Sequence, residues 1–121
     1  MVHNYKVNNN IKINDSRILG YIRARYPDLV QLFGEPKLDV DDKIGYQWII
    51  MIGEEPLYDS SAHYIFSLNL IIKTRFRNVI NEKLALTHDT LLWQIHGYTS
   101  GAVKALANIL QTTDYTLRER K

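Results

Sequence analysis

The chain contains no cysteine. That excludes a disulfide framework, a thiolate zinc site, an iron–sulfur cluster and a cysteine nucleophile. It fits a reducing compartment, so an intracellular setting is expected. Long apolar runs are also lacking. Trp48–Ile52 and Leu70–Ile72 are the longest, too short to span a bilayer, so no membrane partner is expected. Met1–Asn10 is polar and has no apolar core of the kind a secretory signal needs. Glycine is sparse, six residues in all, and no glycine-rich phosphate loop is present. Gly97-Tyr98-Thr99-Ser100-Gly101 is nearest but lacks the lysine of such a loop.

Chemistry-bearing constellations are equally thin. The four histidines, His3, His63, His88 and His96, form no H-E-x-x-H or comparable ligand pair, so no metal and no cofactor is expected. Asp39, Asp41 and Asp42 resemble a fragment of a calcium loop, but Gly45 and Glu54 do not fit the spacing of its glycine and glutamate. Asp59, Ser60, Ser61 and His63 bring carboxylate, hydroxyl and imidazole together in sequence. A triad is defined by geometry, however, and no nucleophile elbow accompanies them. His88-Asp89 could orient an imidazole, but reads better as a surface loop. A non-enzymatic protein is the expectation.

The 121 residues are 45% hydrophobic and 23% charged, ordinary values for a folded domain of common size. One domain over 1–121 is expected, with 1–10 and 114–121 flexible. Over Val2–Ile13 a short strand at Ile11–Ile13 or a loose chain both fit. Asp15-Ser16 reads as a helix N-cap, followed by Ile18, Leu19, Ile22 and Tyr26 at helical spacing. Pro27 ends or kinks that helix and suits the start of a second short one, with Leu29, Val30 and Phe33 as its apolar side. Gly34 reads as its C-cap, and Pro36 stops it.

Lys37–Gly45 reads as a polar connection. In Tyr46–Ile52, Tyr46, Trp48, Ile50 and Ile52 point one way and Gln47, Ile49 and Met51 the other, an inner strand apolar on both faces. His63–Lys73 reads as a second strand, with Leu68, Leu70 and Ile72 sharing a face. Lys73–Thr90 is open between a strand extension, a hairpin arm near Phe76–Ile80 and a loop. Thr90–Gly97 reads as a strand with Leu91, Trp93 and Ile95 inward. Thr99 then caps a final helix whose buried stripe is Ala102, Val103, Leu106, Ile109 and Leu110. The fold class expected is α+β: a small antiparallel sheet with helices packed on one face, in two layers.

Charge is unevenly spread. Residues 1–27 carry a net +4, 28–59 a net −6 and 60–121 a net +4. This makes either one basic and one acidic face or a general solvent coat. The most suggestive segment is Lys73-Thr74-Arg75-Phe76-Arg77. In a strand, Lys73, Arg75 and Arg77 project to one side around Phe76, which suits contacts to a phosphate backbone. Arg118, Arg120 and Lys121 extend the patch, as do Arg17, Arg23 and Arg25. The eight tyrosines offer stacking platforms for bases. An edge strand guarded by charge explains the same residues without a ligand. A second candidate is an anion or ligand pocket at His96, Tyr98, Thr99 and Ser100, where a helix starts, against the Trp48 and Trp93 strands.

Three pieces together form a pattern: Leu29-Val30-x-x-Phe33-Gly34-x-Pro36, Trp48-x-Ile50, and Trp93-x-Ile95-x-Gly97 ahead of Ala102-Val103. In order and spacing the chain resembles small uncharacterised proteins of bacteriophages and large DNA viruses. It departs from them at His96, where a second glycine is usual, at Gly53–Ser61, and in the longer, more basic Lys73–Thr90. The resemblance implies a viral accessory protein of αβ fold and no particular activity. Joined to the basic segment, it yields the leading expectation of nucleic-acid binding without strong sequence preference. The alternative is a protein–protein or small-ligand sequestering module acting on a host protein. A homodimer fits either, because both faces of Tyr46–Ile52 are apolar.

Overall fold

The computed structural model describes residues 4–40, 44–53, 57–58, 64–65, 68–76 and 79–118. The elements in chain order are β1 (Asn4–Val7), β2 (Arg17–Arg25), α1 (Tyr26–Phe33), β3 (Lys37–Val40), β4 (Ile44–Gly53), β5 (Leu57–Tyr58), β6 (Tyr64–Ile65), β7 (Leu68–Phe76), α2 (Val79–His88), β8 (Thr90–Gly97), α3 (Gly101–Leu110) and β9 (Tyr115–Leu117). Seven strands make one antiparallel sheet in the order β1-β4-β7-β8-β2-β9, with β3 also on β4; β5 and β6 form a separate two-stranded ladder. Strands β1 and β3 share one edge of β4, pairing Asn4–Val7 with Gly53–Ile50 and Lys37–Val40 with Gln47–Ile44. Its other edge carries β7 over nearly its whole length.

The alternation read from Tyr46–Ile52 holds. Tyr46, Trp48, Ile50 and Ile52 are buried on the helix side of the sheet, where Leu70, Ile72, Trp93 and Ile95 join them. Helix α3 lays Ala102, Val103 and Leu106 onto this layer, and α1 adds Leu29 and Phe33. Trp48 and Trp93 pack with ring centroids 5.4 Å apart. Each buried indole finds an acceptor, as burial in an apolar layer requires. The Trp48 N–H donates to the Gly34 carbonyl at 2.8 Å and the Trp93 N–H to the Ala24 carbonyl at 3.0 Å. The helices thus cover one face of an antiparallel sheet, the two-layer α+β arrangement expected.

Helix α1 keeps its sequence signature. Pro27 lies in its first turn, and Gly34 ends it at φ +80, donating its N–H to the Val30 carbonyl. The Tyr5 ring meets Phe33 edge-on at 5.2 Å, and its hydroxyl donates to the Leu32 carbonyl. These contacts fasten β1 to the helix.

Several expectations are corrected. Residues 17–25 are a strand, not a helix. A bulge between Ile18 and Gly20 breaks the β2–β8 register, so Leu19, Gly20 and Ile22 are all buried. An extra residue in a strand turns period two into an apparent spacing of three. Of the two readings for Ile11–Ile13 the one without a strand holds, and the first strand is β1, ahead of it. The polar connection at Lys37–Gly45 holds β3. The second long strand begins at Leu68, not His63, with Tyr64–Ile65 in β6, and it ends at Phe76. Beyond it, Val79–His88 is a helix, which none of the three readings included. The tail holds β9, which pairs with β2. The cap before α3 is Ser100 rather than Thr99, and its hydroxyl makes no capping bond.

Candidate nucleic-acid interface

The face of the sheet opposite the helices is set by register. On β4 it carries Gln47, Ile49 and Met51; their partners are Lys37 on β3, Lys6 on β1, and Lys73, Ile71 and Asn69 on β7. Arg75 falls on the same face opposite Gly45. Across β7, Lys73 and Ile71 oppose Gln94 and His96 of β8, and across β8, Tyr21 and Arg23 of β2 oppose Gln94 and Leu92. Thr116 of β9 sits opposite Tyr21, with Arg118 just beyond. Cations are thereby brought to one side by β1, β3, β7 and β2, with spacings of about 5 Å between strands and about 7 Å along one.

The middle of this face is a depression of about 280 Å³ lined by Tyr21, Lys73, Thr74, Leu92 and Gln94. The Thr74 hydroxyl donates to the Leu92 carbonyl at 3.4 Å. Gln94 and His96 share a hydrogen bond of 2.7 Å between Oε1 and Nε2. Burial, and next the positive charge of Lys73, hold the His96 imidazole below its ordinary 6.5. It is therefore neutral at pH 7 and adds hydrogen-bonding capacity, not charge. Arg23 lies 3.9 Å from Asp114, with both side chains more than half exposed, a pair that solvent weakens. Arg25, at the strand end, reaches back to the Thr87 carbonyl.

Of the basic residues singled out in sequence, Lys73 and Arg75 share this face and Phe76 falls on the opposite side by register. The side chains of Arg75 and Phe76 lie outside the described residues, as do Arg77, Arg120 and Lys121 entirely. Arg118 is exposed, its N–H bonded to the Leu19 carbonyl. Arg17 falls opposite Gly97, off this face. Tyr21, Lys6, Lys37 and Gln94 were missed. The spacing of Tyr21, Arg23 and Arg25 at every second residue was the available signal for the first, masked by the helical reading.

The second candidate does not assemble as a pocket against the tryptophans. Trp48 and Trp93 are 0% exposed, inside the same core cluster as Ala102, Val103 and Leu106 of α3. His96 belongs to the face opposite the helices, across from Ile71. The Tyr98 hydroxyl donates to the Asn14 carbonyl at 2.6 Å. At the α3 start, the Ala102 and Val103 N–H groups already donate to the Thr99 and Ser100 carbonyls. Ile49, the apolar residue that suggested a second copy, is 3% exposed in the single chain, with its backbone tied to Asn8 and Asn9.

Among the described residues no group of three or more His, Cys, Asp or Glu side chains could hold a metal ion. Asp41, Asp42, Asp59, Ser60, Ser61, His63 and His3, and the side chain of Asp39, lie outside them. No described helix is long and apolar enough to cross a membrane. Comparison with protein-family models, with curated proteins and with solved structures finds no match to this chain.

Proposed function

We propose that the protein binds single-stranded nucleic acid across the face of its sheet opposite the helices, without strong sequence preference and without catalysis. The observation that carries the reading is the placing of Lys6, Lys37, Lys73 and Arg23, from four different strands, on the same face as Tyr21. Such a face tracks a phosphate backbone by charge, while an aromatic ring on it accepts any base by stacking. A shallow depression admits a splayed base but gives no groove for a duplex edge. The likeness of the Leu29–Pro36, Trp48 and Trp93 segments to small proteins of bacteriophages and large DNA viruses suits an accessory role of this kind inside a host.

Four phosphate contacts on a single strand give a log–log salt slope of about −3, so raising salt fourfold weakens binding about fifty-fold. Fluorescence anisotropy with a labelled oligothymidylate at two salt concentrations reads this, and Arg23→Ala with Lys73→Ala should halve the slope. Absent or salt-insensitive binding removes the reading. A host-protein contact is the competing one, favoured by Leu92, which is 48% exposed on the same face.

A further inference from the structure

The helix side of the sheet carries the opposite chemistry. Helices α1 and α2 leave between them a groove of about 470 Å³, lined by Tyr26, Pro27, Val30, Leu86, Thr87 and Glu35. The walls are apolar, and the half-buried Tyr26 ring is braced from behind by Tyr46 at 5.5 Å and Trp48 at 6.0 Å. Glu82 stands one helical turn before Leu86 and so shares its side of α2. Both Glu35 and Glu82 are close enough to Tyr26 to raise its hydroxyl pKa, after the larger effect of burial. Glu35 has no described partner for its carboxylate, and its backbone carbonyl is anchored by Asn9.

We propose that this groove binds a small primary amine with an aromatic or branched aliphatic body. Its volume lies in the range of small-ligand sites. The ammonium group sits at the Glu35 and Glu82 end, where two carboxylates and the face of an aromatic ring favour a cation. The body lies on Pro27, Val30 and Leu86. The same carboxylates disfavour an anion, which separates this site from the basic face on the other side of the sheet. Arg25 donates to the carbonyl of Thr87, on the α2 wall of the groove, at 3.4 Å.

The test is an amide NMR titration of the full chain with 2-phenylethylammonium, 2-phenylethanol and 3-phenylpropionate in parallel. The ammonium should shift Val30, Leu86 and Thr87 and bind at least five-fold more tightly than the alcohol, with the carboxylate weakest. Glu35→Gln, at an exposed position, should lower the ammonium affinity and leave that of the alcohol unchanged. Glu35→Gln with Glu82→Gln should bring the two probes level. A smaller preference, a preference for the carboxylate, or shifts that avoid the groove would overturn the proposal.

Discussion

Trp48 shows how one side chain joins sheet, helix and cap. Its ring fills the core beside Trp93, and its N–H satisfies the carbonyl of Gly34, the residue that ends α1. Trp48→Phe keeps an aromatic ring but leaves that carbonyl without its donor and opens a gap. The expected loss is about 2 kcal/mol or more of unfolding free energy, read by urea titration. His96 gives a second check at this scale. Its pKa is lowered by burial and then by Lys73, so the unfolded chain takes up this proton first as pH falls. The histidine therefore favours the folded state fully above 6.5, and that contribution declines as pH drops from 6.5 through the folded value. An NMR titration of the His96 ring should give a midpoint below 6.5. Lys73→Met should move it only part of the way back, because burial is the larger cause. A midpoint at or above 6.5 would contradict the burial of His96 as well as its placement beside Lys73.

Strand β2 decides the fold at the scale of elements, and it is where sequence reasoning failed most. The period-two pattern of β4 and β8 was legible because both strands run unbroken and send every second residue into the core beneath the helices. Strand β2 carries a bulge, so Leu19 and Ile22 are both buried and the apolar spacing copies a helix. Its pairing with β8 joins Arg25 to Thr90 and Arg17 to Gly97, contacts between distant residues that no local pattern announces. The short β9 was hidden for the same reason, being held by β2 rather than by its own sequence. Helix α2 escaped because its surface is weakly patterned, with Leu84 exposed and Ala85 buried. Of the interface, the Lys73-x-Arg75 pair was readable locally, whereas Tyr21, Lys6 and Lys37 became one surface only through sheet order.

Two substitutions probe these elements. At Gly20 an added Cβ would overlap the Thr116 carbonyl and crowd the Leu117 Cα. Gly20→Ala should therefore loosen β9, seen as faster amide exchange at Tyr115 and Leu117, with β4 and β7 unaffected. Gln111 ends α3 in the left-handed region at φ 55, a conformation costing a residue with a side chain about 1 kcal/mol more than glycine. Gln111→Gly should raise stability by about 0.5–1 kcal/mol, a gain measurable by thermal melting.

For the whole molecule, the charge division seen along the chain becomes a division between faces. Lys6 and Arg23 of the first third and Lys73 of the last meet on the side of the sheet opposite the helices, with Lys37 joining them from the acidic middle. Carboxylates of the middle and of α2 border the α1–α2 groove. A net charge of only +2 gives little general attraction for a polyanion, so the account depends on where the strands place the cations. Mapping amide chemical shifts with an unlabelled oligothymidylate of about ten nucleotides at low salt tests that placement directly. The account predicts shifts at Tyr21, Lys73, Leu92 and Gln94, spreading toward Lys6 and Lys37, with Ala105 and Leu106 of α3 unmoved. Shifts concentrated on the helical side, or none, would contradict it.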